Sequence, residues 1–242
     1  MAEGRFLKAL GIAGSPRKGG NSEYLLAQVM EEARQVDEDV EIKTYSIAGR
    51  KFAPCLSCSK CEELKGECVP KDDFQQLKDE WLKADVVIYS VPVYHMTIPG
   101  QLRCFMDRLG KSLSSYYGGM IPKNVKVIGA IAQGVHIFSG QEHTMTDIVN
   151  HALLMGCVPV GGDTWESVYI VGGGWTLNER EKDALKKHYK KGNPAAVVAI
   201  RAARSVGKRA VQFALMLKHG AIVKREMLEK EETVFEPFLM RL

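Results

Sequence analysis

Residues 6–36 read FLKALGIAGSPRKGGNSEYLLAQVMEEARQV. An apolar run from Phe6 to Ala13 breaks at the turn-forming string Gly14–Asn21, and apolar residues then recur at helical spacing through Val36. The order is strand, loop, helix, and outward from it the same order repeats. VEIKTYSI (40–47) alternates as a strand does, and DDFQQLKDEWLKA (72–84) opens on acidic residues as a helix does. ADVVIYSVPVY (84–94) is a nearly unbroken apolar strand, of the kind buried on both faces of a parallel sheet. PGQLRCFMDRLGKSL (99–113) places Pro99 at a helix start, where its missing N–H costs nothing. NVKVIGAIAQG (124–134) is a further buried strand, QEHTMTDIVNHALLMG (141–156) a further helix, and CVPVGGDTWESVYIVGG (157–173) a last strand region with a Gly-rich exit. Five strands with intervening helices predict an α/β, doubly wound five-stranded parallel sheet in the order 2-1-3-4-5, occupying residues 1–175.

From about residue 176 the character changes to charged helices, so residues 176–242 are expected to form a C-terminal helical extension. In NPAAVVAIRAARSVGKRAVQFALMLKHG (193–220) a stripe of Val197, Val198, Val206, Val211, Ala214 and Leu215 is interleaved with Arg201, Arg204, Lys208 and Arg209. Three readings stand: a helix packed on its own domain, a subunit contact, or a membrane or nucleic-acid surface.

Composition narrows the class. Apolar residues at 45% and charged residues at 26% suit a folded globular chain of 242 residues, and a net charge of +4 is too mild to demand nucleic acid. The opening MAEGRFLKALGIAG has no export-type apolar region, and no run approaches the roughly eighteen apolar residues of a membrane span. The expectation is a cytoplasmic protein with neither a membrane nor a nucleic-acid partner.

Three loops fall at the carboxyl edge of the sheet, where open α/β proteins bind ligands. In GSPRKGGNS the glycines let several N–H groups converge at a helix N-terminus, Ser15, Asn21 and Ser22 add neutral donors, and Arg17 and Lys18 add charge. That suits a terminal phosphate. Neither the Walker A spacing nor G-x-G-x-x-G is met, and an ordinary glycine turn with a Ser or Asn cap is the plain alternative. The second loop presents Pro92, Val93, Tyr94, His95 and Met96, a flat apolar wall with backbone groups suited to an isoalloxazine ring. His95 reads as pocket wall or as a proton-transfer group. The third loop offers Gln133, Gly134 and Gly140.

Four of the six cysteines lie within a loop at 53–70, as Cys55, Cys58, Cys61 and Cys68 in the spacing C-x2-C-x2-C-x6-C. Without an export signal a metal or redox role leads over disulfides. Tightly spaced thiolates meet the demand of a [4Fe–4S] cluster, while four-thiolate zinc and unmetallated redox thiols are the alternatives. Cys104 and Cys157 stand alone and read as small buried hydrophobes.

GSPRKGGNSEYLL, PVYHMTIPGQLRCFMDR and GQEHT resemble segments of the flavodoxin-like NADPH-dependent FMN reductase superfamily, and the cysteine run resembles its iron–sulfur flavoprotein branch. The resemblance covers about residues 5–175. It implies FMN phosphate at Ser15, Arg17, Asn21 and Ser22, flavin contacts along 92–96 and near Gly134, and a cluster on the four cysteines. It further implies a homo-oligomeric oxidoreductase that takes electrons from a ferredoxin-like carrier or NAD(P)H and passes them to a small-molecule acceptor. A cluster-free NAD(P)H-dependent FMN or quinone reductase is the second reading.

Overall fold

A computed structural model describes residues 7–136, 139–167, 171–172 and 181–242. The expected boundary at 175/176 lies outside the described residues.

The parallel sheet consists of β1 (Leu7–Ala13), β2 (Val40–Ser46), β3 (Val86–Pro92), β4 (Val127–Gln133) and β5 (Val158–Val160), in the order β2-β1-β3-β4-β5. A sixth short strand, β6 (Val171–Gly172), also pairs with β4. Val158–Val160 sit opposite Val127–Gly129, and Val171–Gly172 opposite Ala130–Ile131. The two pieces are therefore successive parts of one edge position, which the sequence presented as a single strand region.

Side-chain alternation along the strands divides the interior into two layers. Leu10, Ile12, Val87, Tyr89, Val91, Ile128, Ala130 and Ala132 face one core, packed against α3 (Phe74–Lys83), α4 (Gly100–Tyr116) and α5 (Gln141–Leu154). Leu7, Ala9, Ala13, Val86, Ile88, Val127 and Ile131 face the other, against α1 (Asn21–Arg34). Residues buried on both faces explain why β3 and β4 read as continuous apolar runs.

That second face is completed by the C-terminal region. After the short helix α2 (Lys60–Glu63) in the cysteine loop, the remaining helices are α6 (Ala184–Lys190), α7 (Pro194–Val223), α8 (Arg225–Glu229) and α9 (Glu232–Leu239). The side chain of Asn193 accepts from the amides of Ala195 and Ala196, and Pro194 follows it in the first helical turn, so the start of α7 is locally encoded. Its buried stripe runs through Ala196, Ala199, Ile200, Ala203, Ala210, Val211 and Ala214, all within the core shared with α1. Of the expected stripe, Val206, Val211 and Ala214 are buried and Leu215 packs on the core, whereas Val197 is exposed; alanines fill much of the rest of the contact. A Cβ on Gly207 would lie 2.5 Å from the carbonyl oxygen of Val29, which is how closely α7 crosses α1. Of the three readings for this helix, packing on its own domain is the one observed.

The amino edge of the sheet is closed by charge. Asp85 is buried and paired with Lys218 of α7 at 3.0 Å and with Arg241 at 3.1 Å, and it also accepts from the amide of Lys8 at 3.0 Å. Breaking one member of such a set exposes the full desolvation cost of the others. The C-terminal chain is thereby anchored at the edge opposite the ligand loops.

Candidate functional site

The loop after β1 turns through Gly14–Gly20 into α1. Ser15 is buried, and its hydroxyl accepts from the amide of Arg17 at 3.1 Å, a tight local turn. Gly20 stands at the N-cap of α1 with extended backbone and no side chain closing the first turn. A fourteen-residue helix thus presents its positive end to the loop. Glu23 does not compete for that position: its carboxylate accepts from Gly19 N at 2.7 Å and from Ser46 Oγ at 2.6 Å, tying the loop to the end of β2.

Residues far apart in sequence meet at this helix end. Gln133, from the end of β4, donates from Nε2 to Ser22 Oγ at 2.7 Å, and Ser90 of β3 donates to the Ser22 carbonyl at 2.9 Å. The other amide atom, Gln133 Oε1, is buried with no partner among the described residues. One cleft is lined by Ser15, Arg17, Asn21 and Ser22 from the first loop, Pro92, Val93 and Tyr94 from the second, and Gln133 and Gly134 from the third. An uncapped helix start, an apolar wall and an orphaned buried acceptor are what a phosphate-bearing planar ligand requires.

The remaining expected residues lie elsewhere. Lys18 is exposed beyond the lining of the cleft. His95 and Met96 form the tip of a tight turn in which Tyr94 and Thr97 exchange backbone hydrogen bonds of 2.9 and 3.1 Å. Both tip residues have positive φ, 46° and 71°, a conformation that costs energy without glycine and recurs at ligand sites. Gly140 holds this turn in place. It has φ of 101°, and a Cβ there would come within 2.6 Å of the Met96 backbone, so only glycine lets the third loop approach the second.

Sequence reasoning missed Glu181 and Lys182, which also line the cleft. Asn21 donates to the Glu181 carbonyl at 3.2 Å and accepts from Leu185 N at 3.2 Å, so its amide joins α1 to the C-terminal region. No local pattern in 181–185 signals this.

The four expected cysteines line a second pocket, separate from the first, together with Arg108, Lys111 and Ser112 of α4. Cys58 is exposed, Cys61 buried, and Cys55 and Cys68 half-buried; all four are free thiols. Ser57, Ser59 and Lys65 adopt positive φ of 50°, 56° and 50° within the loop. Among the described residues, no group of three or more His, Cys, Asp or Glu side chains is gathered closely enough to hold a single metal ion. All four cysteines nonetheless line one and the same pocket.

Arg108, fully buried, pins the loop at both ends. Its Nη1 reaches Asp72 Oδ2 at 2.6 Å and the Ala53 carbonyl at 3.3 Å, Nη2 reaches the Pro70 carbonyl at 3.3 Å, and Nε donates to Cys68 Sγ at 3.3 Å. Its guanidinium stacks 4.2 Å from the Phe74 ring centre. Burial alone would raise the Asp72 carboxyl, but hydrogen bonds from Arg108 and from the amides of Ala53 and Phe74 hold it below its ordinary range. Burial lowers Lys78, whose ammonium bonds the Gly66 carbonyl inside the loop, although Asp79, Cys61 and Cys68 pull the other way. Cys61 in turn donates to the Lys111 carbonyl at 3.9 Å. As expected for an inert thiol, Cys157 is buried and pushed up to about 11 by that burial.

Comparison with known proteins places this geometry in context. The profile of the NADPH-dependent FMN reductase family matches residues 7–168. An iron–sulfur flavoprotein of Methanocaldococcus jannaschii is 29% identical over 212 residues, covering 88% of this chain and 100% of that protein. One from Archaeoglobus fulgidus is 32% identical, covering 78% and 79%, and one from Methanosarcina thermophila is 32% identical, covering 74% and 87%. Among solved structures, an azoreductase from Bacillus anthracis superposes with a TM-score of 0.59 at 14% identity, covering 84% of this chain and all of that one, a likeness of fold alone. With a family profile spanning most of the sheet and relatives of this identity across most of their own length, the chain belongs to the NADPH-dependent FMN reductase family, in its iron–sulfur flavoprotein branch.

Proposed function

We propose that this chain is an iron–sulfur flavoprotein, an FMN-dependent oxidoreductase that couples a [4Fe–4S] cluster to the flavin. The observation that carries the reading is the pair of pockets: four cysteines around one space, and a phosphate-type helix end beside an apolar wall in another, both on loops at the carboxyl edge of one sheet. FMN, when bound, supplies chemistry in two-electron or one-electron steps, whereas a cluster passes single electrons, so the two together interconvert the currencies.

The chain's own residues do the holding. Ser15, Arg17, Asn21, Ser22 and the first amides of α1 take the phosphate, with Lys18 adding positive charge from outside the cleft lining. Pro92, Val93 and Tyr94 form the ring wall, with His95, Met96 and Gly140 shaping its outer rim, and Gln133 and Gly134 meet the polar edge. Unpartnered Gln133 Oε1 supports that last role, because an N–H donor there would satisfy it. Cys55, Cys58, Cys61 and Cys68 are cluster ligands and not acid–base groups.

The electron source in this reading is a ferredoxin-like carrier or NAD(P)H, the acceptor is a small molecule, and the protein works in the cytoplasm as a homo-oligomer. Free thiols in a compact loop suit a reducing compartment, and no helix among the described residues is long and apolar enough to cross a membrane. Exposed Leu153 and Leu154 are consistent with subunit contact, and sedimentation checks it.

The family profile by itself also fits one second reading, a cluster-free NAD(P)H-dependent FMN or quinone reductase whose cysteines are incidental or thiol-active. Iron, acid-labile sulfide, zinc and FMN content of protein purified without oxygen separates the two. About four iron and four sulfide with one FMN per chain supports the cluster reading. FMN without iron, after attempted reconstitution, supports the simple reductase.

A further inference from the structure

The face of α4 that looks into the cysteine pocket carries groups that no ligand role accounts for. Ser112 is 1% exposed, lines that pocket, and its Oγ has no hydrogen-bond partner among the described residues. A helical serine ordinarily returns its hydroxyl to the carbonyl four residues earlier, and a buried hydroxyl with no partner is rare in native proteins. One turn before it, Arg108 already donates from Nε to Cys68 Sγ at 3.3 Å, with its fork fixed by Asp72, Ala53 and Pro70. A hydroxyl and a guanidinium thus address the same space as four cysteine sulfurs, and only one of them is satisfied by the protein itself.

We propose that Ser112 and Arg108 are positioning residues that donate hydrogen bonds to the sulfur atoms of the group held in the cysteine pocket, and so set its reduction potential. The proposal rests on the reading of that group as an iron–sulfur cluster. One-electron reduction makes and breaks no bond, and it increases the negative charge at sulfur. A donor fixed beforehand stabilises the reduced form more than the oxidised one and raises the potential. Ser112 supplies a neutral donor, and Arg108 supplies a charged one aimed at the fourth cysteine. The same helix, with Pro99 at its N-cap, follows the loop whose Pro92, Val93 and Tyr94 line the first cleft.

The test is a dithionite redox titration of the anaerobically purified holoprotein, followed by EPR for the cluster and by visible absorption for FMN. It compares wild type with Ser112→Ala and Arg108→Lys. Ser112→Ala is expected to keep wild-type iron and FMN content and to titrate at a more negative cluster potential, with the flavin couple unmoved. Arg108→Lys, which also loosens the clamp on the loop, is expected to shift the potential of the cluster it retains in the same direction. Resonance Raman in deuterated solvent should shift the Fe–S stretching bands of wild type more than those of Ser112→Ala. Removing an unpartnered hydroxyl should leave the apoprotein as stable as before or more so, which separates this role from a structural one. A Ser112→Ala protein with full iron content, an unchanged potential and an unchanged deuterium shift overturns the proposal. Ser112→Ala carries the test if Arg108→Lys fails to fold. Wild type with FMN and no iron after reconstitution is a different failure, that of the cluster reading itself, and it removes the proposal with it.

Discussion

The flavin-type cleft and the cysteine pocket sit on the same edge of the sheet but are assembled in opposite ways. The cleft joins residues remote in sequence: Gln133 reaches Ser22 across 111 positions, and Asn21 reaches Glu181 across 160. Its walls are the ends of core strands, so the sheet fixes it whether or not a ligand is present. The cysteine pocket takes its thiols from one contiguous segment, with three non-glycine residues in left-handed conformation. It is held in shape from outside by Arg108 of α4 and Lys78 of α3. A site built from strand ends inherits the stability of the core, whereas one built on a strained loop depends on a few buried polar clamps.

The contrast predicts first that the two cofactors separate. Cys58→Ser, at an exposed position, should abolish iron binding while FMN remains near one per chain; loss of both, with circular dichroism showing a folded protein, would mean the pockets are coupled. Next in size is the clamp. Arg108→Met leaves Asp72 without its partner and is expected to cost ~3–5 kcal/mol in denaturant unfolding, with protease sensitivity concentrated at 53–70. A cost well under that would show the loop to be held by its own turns.

The third effect is one of pH. His151 lines a groove beside Cys55, its Nε2 is buried without a partner among the described residues, and burial, aided by the charge of Arg103, lowers it to about 4. The unfolded chain takes up this proton near the ordinary histidine value of 6.5, the folded chain only at about 4. Stability is therefore complete above pH 6.5 and declines as pH falls through that window, by up to ~3 kcal/mol. His151→Gln should flatten the slope of unfolding free energy between pH 6.5 and 4, and an unchanged slope would assign it to other groups. The smallest effect belongs to the cleft: Gln133→Ala should cost about 1–2 kcal/mol of stability and weaken FMN binding measured by fluorescence quenching, leaving iron content intact. If iron fell in step with FMN, the proposed independence of the two sites would fail.

Much of this was legible in the sequence because it is local. The unbroken apolar runs of β3 and β4, the glycine turn before α1, Pro99 before α4 and the cysteine spacing each report on a few neighbouring residues. Period and punctuation suffice to read them. The resemblance of three loop segments to a known family added the flavin. The same locality explains what went unread. Apolar size alone pointed to Val206, Val211, Ala214 and Leu215 on α7, which do pack inward, and also to Val197, which is exposed. The alanines that complete the contact went unread because the requirement for small residues arises only from how closely α1 crosses α7 at Gly207.

What the sequence alone determined, then, is the order of strands and helices, the ligand edge, and the identity of the thiols and of the glycine-rich loop. Tertiary structure decided which atoms of those segments face one another. It split the last strand into two pieces along β4, turned the amide of Asn21 toward the C-terminal region, and brought Glu181 and Lys182 to the cleft. It also set Arg108 and Ser112 against the cysteines. The physical reason is that periodicity encodes which face of an element is buried, but not its partner. An arginine, a serine or an asparagine in a helix becomes a clamp or a donor only when packing removes water and leaves one neighbour within hydrogen-bond reach.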